Sequence, residues 1–227
     1  EGAIQVAAVN TLGVLYVVEA GDAVNTVEDL RGATVYSTGK GTTPEYAFRH
    51  ILALNGIDPD GDLTIEYKSE SAEVAAALAA GTVTVGILPQ PYVTAVLKQN
   101  ENLRVALSLT DEWAAADPES QMVTGVVVVR SAFLAENPEA VDQFLADYDE
   151  SQAYVNANPE EAGAWIADMG IVGSPQIAAL AIPQCNIVSI GGEDMKALVS
   201  GYLAALYAQN PAAVGGALPT DEFYYVP

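Results

Sequence analysis

The sequence predicts an α/β protein made of two lobes, and three observations support this fold class. The chain has 227 residues, 51% of them hydrophobic, which suffices to bury a sizeable core. Strand-like and helix-like segments alternate over residues 31–120, a pattern that implies parallel strands with helices on both faces. The later part of the chain is mostly helical in pattern. We therefore predict that residues 31–120 form lobe two, and that the flanking residues, 1–30 and 121–227, form lobe one across a hinge.

The first elements are two short strands. Residues 4–9 and 13–18 are rich in β-branched side chains, and the polar Asn10 and Thr11 separate them. Polar residues that interrupt apolar strands where the chain crosses between lobes suggest a cleft or hinge position. Asn10 and Thr11, with Thr124 at the return crossing, are therefore candidate ligand-binding residues.

The best-marked element of lobe two is a helix that begins near Pro44. Thr42 or Thr43 can act as its N-cap, Pro44 suits the first helical position, and Asn55-Gly56 ends it. The other elements predicted here are strands at 33–36, 63–67, 83–88 and 103–107 and helices at 71–80 and 89–97. The acidic stretch 111–121 is predicted to be irregular.

Lobe one is predicted to be mostly helical after a single strand. Residues 123–129 form a continuous run rich in valine, which predicts a strand buried on both faces. Asn-Pro, Ser-Pro and Gly-Gly pairs then punctuate the chain. The helices predicted between them are 138–157, 159–169, 174–181 and 193–209.

The charge balance excludes two kinds of partner. Thirty acidic residues against eight basic ones give a net charge of −22, which repels nucleic acid and anionic membrane surfaces. No apolar run is long enough to span a bilayer.

One cysteine, Cys185, and one histidine, His50, provide neither an internal disulfide nor a His/Cys metal cluster. We expect no metal and no cofactor, and structural roles for these two residues. For Trp113 both a cleft position and a core position remain open.

The loop before the predicted helix at Pro44 carries the strongest local chemistry. Its glycines allow a sharp turn, and the following helix offers unpaired N–H groups and the positive end of its dipole. An anion or a carbonyl oxygen would fit there, although an ordinary capped turn has the same pattern. The spacing required of a nucleotide phosphate loop is not present. The candidate ligand-binding residues of this loop are Thr38, Gly39, Lys40, Gly41, Thr42 and Thr43.

A second group of candidates follows the predicted strand 83–88. Gln90 and Tyr92 come at its C-terminal end, the edge at which open α/β sheets bind ligands. Gln90 could hydrogen-bond a polar group. Tyr92 could stack on a ring, although an aromatic residue at a helix start is as readily part of the packing.

Four segments, in this order and spacing, resemble one family. They are 28–32 (EDLRG), 39–44 (GKGTTP), 77–83 (ALAAGTV) and 88–92 (LPQPY). The chain resembles the sulfonate, nitrate and thiamine-precursor group of type II periplasmic binding proteins. In that family the corresponding segments are a turn before a strand, a loop that opens a helix, a helix-to-strand step, and a turn facing the ligand cleft.

The resemblance implies a function, partners and a location. It implies the solute-binding component of an ABC importer, which closes on a small organic or oxyanionic ligand between two lobes, passes it to a permease and catalyses nothing. It also implies an extracytoplasmic protein, periplasmic or lipid-anchored at the cell surface. Members of the family usually carry a further strand–helix–strand–helix segment before the position of Glu1. We therefore expect lobe one to lack part of its sheet, and its exposed strand edges to favour self-association.

Two other classes remain open. One is an enzyme resembling the eukaryotic thiamine-pyrimidine synthase, whose fold is similar. Such an enzyme needs an iron-linked Cys/His set that a single cysteine and a single histidine can hardly provide. The other is the effector-sensing half of a transcription regulator, for which no basic helix-turn-helix segment is visible.

Overall fold

The computed structural model describes residues 2–227, which divide into two compact units. Unit 1 comprises the chain up to Gly13 together with Val123–Pro227, and unit 2 comprises Val14–Met122. The chain therefore passes between the units twice, after Gly13 and after Met122. Each unit contains its own sheet.

Eight strands and nine α-helices occur within the described residues. The strands are β1 (Ile4–Leu12), β2 (Leu15–Ala20), β3 (Thr34–Ser37), β4 (Thr64–Tyr67), β5 (Val85–Pro89), β6 (Leu103–Ser108), β7 (Val123–Arg130) and β8 (Ile187–Gly191). The helices are α1 (Thr43–Leu54), α2 (Ser71–Ala79), α3 (Tyr92–Gln99), α4 (Leu109–Ala116), α5 (Ser131–Glu136), α6 (Pro138–Ala157), α7 (Pro159–Asp168), α8 (Pro175–Ala181) and α9 (Gly192–Gln209). Within residues 2–227, no helix combines the length and the apolar character needed to cross a membrane.

The sheet of unit 2 has five strands in the order β4-β3-β5-β2-β6. Strand β3 runs parallel to β4 and β5, as the alternating pattern predicts, whereas β2 runs antiparallel to β5 and β6. These two pairings place β2 in unit 2, so the predicted boundary at residue 30 is wrong. The unit to which β2 belongs is set by its pairing with β5 and β6, which are distant in sequence, so the local pattern around residue 30 does not predict it. The neighbours Val17 and Val18 face opposite sides of the sheet and are both fully buried, so both faces are covered.

One helix of unit 2 lies where the sequence predicts irregular chain. Helix α4 begins at Leu109, and the Ser108 hydroxyl caps it by accepting a hydrogen bond from the Asp111 amide (3.3 Å). Acidic residues in its first turn complement the helix dipole. Trp113 is 0% exposed, so of the two positions left open by the sequence, cleft and core, it occupies the core. The indole provides core packing against α1.

The sheet of unit 1 has three antiparallel strands in the order β7-β1-β8. Asn10 and Thr11 lie inside β1 rather than after it, because β1 continues to Leu12. The prediction that 123–129 is buried on both faces is also wrong. Strand β7 is an edge strand, and Val126 and Val128 are 36% and 49% exposed. The four helices predicted for this part of the chain, α6 to α9, are confirmed, whereas α5 and β8 were not predicted.

Candidate functional site

The candidate site of unit 2 is built by the ends of three parallel strands. Strands β3, β4 and β5 end at one edge of the sheet, and α1, α2 and α3 begin there. We call this region the carboxyl edge; it comprises residues 37–43, 68–71 and 90–94. Helix N-termini present unpaired N–H groups and the positive ends of helix dipoles, which favour negatively charged ligands.

The loop of residues 38–43 forms a tight turn into α1. Helix α1 begins at Thr43 with proline in its first turn, as predicted, but the Thr42 side chain does not cap it. Instead the Thr42 hydroxyl donates to the Gly39 carbonyl oxygen (2.7 Å). Gly39 has φ +71°, and a Cβ there would lie 2.6 Å from the Thr42 hydroxyl oxygen. The turn therefore requires glycine at position 39.

A carboxylate of the protein already binds one amide of this loop. The Gly41 N–H donates to Glu45 Oε2 (2.6 Å), and Glu45 Oε1 lies 4.0 Å from Arg49 Nε. Asp60 in turn accepts from Arg49 Nη2 with both oxygens at 2.7 Å. The loop is thus a place where a carboxylate oxygen fits, and a ligand that binds the Gly41 amide would have to displace Glu45.

Two hydroxyl groups meet at the carboxyl edge. Thr38 Oγ1 and Ser71 Oγ are 3.4 Å apart, and Ser71 is the first residue of α2. Ser71 is not among the ligand-binding residues predicted from the sequence, although a serine at the start of a predicted helix after a parallel strand was a usable signal. Together the two hydroxyls can donate two hydrogen bonds to one group.

Gln90 caps α3 with its own side chain. Its Oε1 accepts from the Thr94 amide (3.2 Å) and from the Thr94 hydroxyl (2.8 Å). Its carbonyl oxygen is therefore engaged, and only its Nε2 group can donate to a ligand. Tyr92 is the first residue of α3 and is 38% exposed.

The remaining candidates, Asn10, Thr11 and Thr124, belong to unit 1. The Thr11 hydroxyl donates to Asn10 Oδ1 (3.0 Å), and the Thr124 hydroxyl donates to the Leu12 carbonyl oxygen. Asn186, in the left-handed region at φ +47°, accepts from the Leu12 amide (3.1 Å) through its own carbonyl oxygen.

The Asn186 side chain donates to the carbonyl oxygen of Gly13. Asn186 and Thr124 thus hold residues 12–13 directly before the chain passes into unit 2. Asn186 was not predicted from the sequence, because its partners are 173 and 174 residues away in the chain.

Two cavities differ in their suitability for an anion. One of about 380 Å³ adjoins the carboxyl edge, and its charged lining residues are Lys40 and Arg49 together with Glu45 and Asp60. A larger one of about 810 Å³ lies in unit 1, where its charged lining residues are Asp221 and Glu222. Because carboxylates repel anions and no basic residue lines the described part of the larger cavity, it is the poorer anion site.

His50 takes part in a network within unit 2. Its ring packs against that of Trp113 with centroids 4.3 Å apart and a tilt of 36° between the planes, and its Nε2 lies 3.3 Å from Asp117 Oδ2. The Ser120 hydroxyl donates to the same carboxylate oxygen (2.6 Å) and accepts from Trp113 Nε1 (2.9 Å).

Neither a reactive thiol nor a metal cluster is found in the part of the chain that the structure describes. Burial raises the pKa of the Cys185 thiol. No group of three or more His, Cys, Asp or Glu side chains among residues 2–227 is arranged to hold a metal ion.

Comparison with known proteins identifies the family. Residues 3–176 match the family of ABC transporter phosphonate periplasmic substrate-binding proteins, and the chain belongs to this family. The predicted type II periplasmic binding protein fold and the predicted class of ABC transporter solute-binding protein are therefore confirmed. Among curated proteins, none matches the chain.

Solved structures share the fold. An ABC transporter protein from Parabacteroides distasonis is 24% identical, with a TM-score of 0.74 over 99% of this chain and 74% of that one. The periplasmic aliphatic sulphonate binding protein SsuA of Escherichia coli is 18% identical, with a TM-score of 0.74 over 98% and 72%. The desulfurization enzyme DSZB is 12% identical, with a TM-score of 0.63 over 99% and 77%, so the same fold also occurs in an enzyme.

Proposed function

We propose that this protein binds a small organic oxyanion, a phosphonate or a sulfonate, at the carboxyl edge of unit 2. The observation that carries the proposal is that three helices of eight or more residues, α1, α2 and α3, begin at the same edge of one sheet. Their N-terminal amides and dipoles favour an anion there.

The side chains at this edge supply matching donors. The Thr38 and Ser71 hydroxyls and the Gln90 Nε2 group can each donate a hydrogen bond to an oxyanion oxygen, and the Gly41 amide can do so once Glu45 is displaced. Neutral donors of this kind suit a tetrahedral oxyanion, which offers three acceptor oxygens in different directions. Tyr92 is placed to contact the organic part of the ligand.

The role we propose is binding without turnover. Burial raises the pKa of the Cys185 thiol, which disfavours the thiolate nucleophile. The contacts given for His50 in the described residues are with Asp117 and Trp113 and include no thiol or hydroxyl nucleophile. Membership of an ABC transporter family supports delivery of the ligand to a membrane permease and an extracytoplasmic location.

The test is a binding measurement with phosphonates and sulfonates on the intact chain. We expect a raised melting temperature, because a ligand at 100-fold its dissociation constant adds about 2.7 kcal/mol of stability. Thr38→Val combined with Ser71→Ala should weaken binding by about 10-fold or more, since hydrogen bonds to charged groups contribute about 1.5–3 kcal/mol each.

Thr34→Val is the matched control, because Thr34 is exposed at the opposite, amino end of β3. Affinity for neutral solutes but for no oxyanion would refute the proposal. Equal losses in the Thr38/Ser71 variant and the Thr34 variant would refute the site.

A further inference from the structure

Two of the few basic side chains in this acidic protein lie at the carboxyl edge without a carboxylate partner. Of the eight basic residues, four form ion pairs: Arg31, Arg49, Arg104 and Lys196. Within residues 2–227 the other four, Lys40, Lys68, Lys98 and Arg130, form none. Lys40 and Lys68 follow the ends of the neighbouring strands β3 and β4.

Each of these lysines rests over a tyrosine ring. Lys40 Nζ lies 5.7 Å from the centroid of Tyr67, and Lys68 Nζ lies 5.3 Å from that of Tyr36. In the parallel register Tyr67 is opposite Ser37, one residue past Tyr36. Because side chains alternate along a strand, the two rings lie on opposite faces of the sheet. The lysines therefore flank the carboxyl edge from both sides.

In these positions both ammonium groups can still bind an anion. A cation–π contact is weaker than a charge-assisted hydrogen bond to an oxyanion. An anion bound at the carboxyl edge can therefore replace the tyrosine ring as the partner of each lysine ammonium group. Burial raises the pKa of the Tyr67 phenol, which stays neutral at physiological pH.

We propose that Lys40 and Lys68 act as a charge-selecting pair, which makes the site prefer a dianionic head group over a monoanionic one of the same shape. The inference rests on the proposed function. The field of a chain with net charge −22 repels a dianion more than a monoanion. Two unpaired cations beside one site reverse this preference locally, because the attraction scales with the charge of the ligand.

The acidic groups near this edge form no ion pair with Lys40 or Lys68 within residues 2–227, and Glu45 and Asp60, which line the same cavity as Lys40, pair with Arg49. Glu45 is bound to the Gly41 amide and lies near Arg49. Glu66 is the strand partner of Tyr36, and Glu70 directly precedes α2. Neither Glu66 nor Glu70 forms an ion pair with Lys40 or Lys68 within residues 2–227. Phosphonates and sulfonates share a tetrahedral shape and differ by one charge once the phosphonate has lost its second proton, so the pair favours the phosphonate.

Calorimetric titration with two isosteric pairs tests this selection. The probes are methylphosphonate with methanesulfonate, and phenylphosphonate with benzenesulfonate, measured between pH 6 and pH 8.5. Phosphonate affinity should rise about 10-fold over this range as the ligand becomes dianionic, whereas sulfonate affinity should stay constant. Lys40→Gln and Lys68→Gln should each weaken phosphonate binding about 10-fold and sulfonate binding about 3-fold or less.

Lys98→Gln is the control, because it changes the net charge equally at the far end of α3; it should alter both affinities less than about 2-fold. Circular dichroism and the melting temperature verify that each variant is folded. Equal weakening of both anions, or effects no larger than those of Lys98→Gln, would overturn the inference and leave the proposed function standing. No binding of either anion by the unaltered chain would overturn both.

Discussion

Arg104 Nη2 lies 2.7 Å from Glu19 Oε2, and the Glu19 side chain is only 4% exposed. Glu19 also accepts hydrogen bonds from the amides of Ala23 and Val24 (2.9 and 3.1 Å). Arg104 donates further to the carbonyl oxygens of Gly21 and Val24. This buried carboxylate thus fixes the chain after β2 against β6.

Glu19→Gln should lower the free energy of unfolding by about 2–4 kcal/mol, because an amide replaces a carboxylate that accepts from several buried donors. Urea denaturation measures the loss. Glu28→Gln is the control, since Glu28 is 62% exposed in its pair with Arg31, and should cost about 0–1 kcal/mol. Equal losses in the two variants would contradict this assignment.

The Asp117 carboxylate should make stability depend on pH in the acid range. Hydrogen bonds from the Ser120 hydroxyl and from His50 hold its pKa below the ordinary value of 3.8. A carboxylate with a lowered pKa in the folded state contributes stability above the pKa of the unfolded state. That contribution is lost as the pH falls through the folded pKa.

Asp117→Asn should therefore cost about 1 kcal/mol at pH 6.5, and this difference from the unaltered chain should shrink as the pH falls below 3.8. Urea denaturation at pH 6.5, 4.5 and 3 measures it. Asp111→Asn, on the surface of the same helix, provides the control for the change in net charge. A difference that stays constant across this range would show that the contribution of Asp117 is not electrostatic.

Helices and strands whose ends carry recognisable start and stop residues could be predicted from the local sequence. Helix α1 is one case, with Pro44 at its start and Gly56 after its end. The placement of β2 in unit 2 was not predictable in the same way, because its partners β5 and β6 lie about 70 and 90 residues further along the chain. Short elements such as β8 and α5 contain too few residues for the spacing of their apolar side chains to distinguish a helix from a strand.

The candidate site was predictable as a region but not in its contacts. The Gly- and Thr-rich loop and the turn at Gln90 follow parallel strands, and this sufficed to place them at one edge. The side-chain directions came from packing: Gln90 turns back to Thr94, and Glu45 turns to the Gly41 amide. Neither direction follows from residue type.

Gln90→Glu should lower the affinity for oxyanions without lowering the stability of the fold. The carboxylate can still accept from the Thr94 amide and hydroxyl, and a negative charge suits the N-terminus of α3. Stability should therefore stay equal or rise by about 0.3–1 kcal/mol. Oxyanion affinity should fall by about 10-fold or more, because the Nε2 donor is lost and a like charge is added. A melting curve and a calorimetric titration on one sample provide both values, and unchanged affinity would remove Gln90 from the site.

Gly125→Ala should destabilise unit 1 through close packing of β7 against β1. A Cβ at Gly125 would lie 2.3 Å from Asn10 Oδ1 and 3.0 Å from two atoms of the Thr11 side chain. Because Thr11 is the strand partner of Gly125, the side chains cannot move apart without disturbing the ladder. We expect a loss of about 1–3 kcal/mol, typical of overpacking.

Gly173→Ala is the matched control, since a Cβ there meets nothing within 4 Å and the residue does not have positive φ. It should leave stability unchanged or slightly raised, as alanine restricts the unfolded chain more than glycine. Denaturation of both variants by urea measures the difference. Equal stability of the two would mean that the Asn10 and Thr11 side chains are free to turn away from β7, so that the contact does not constrain the strand pair.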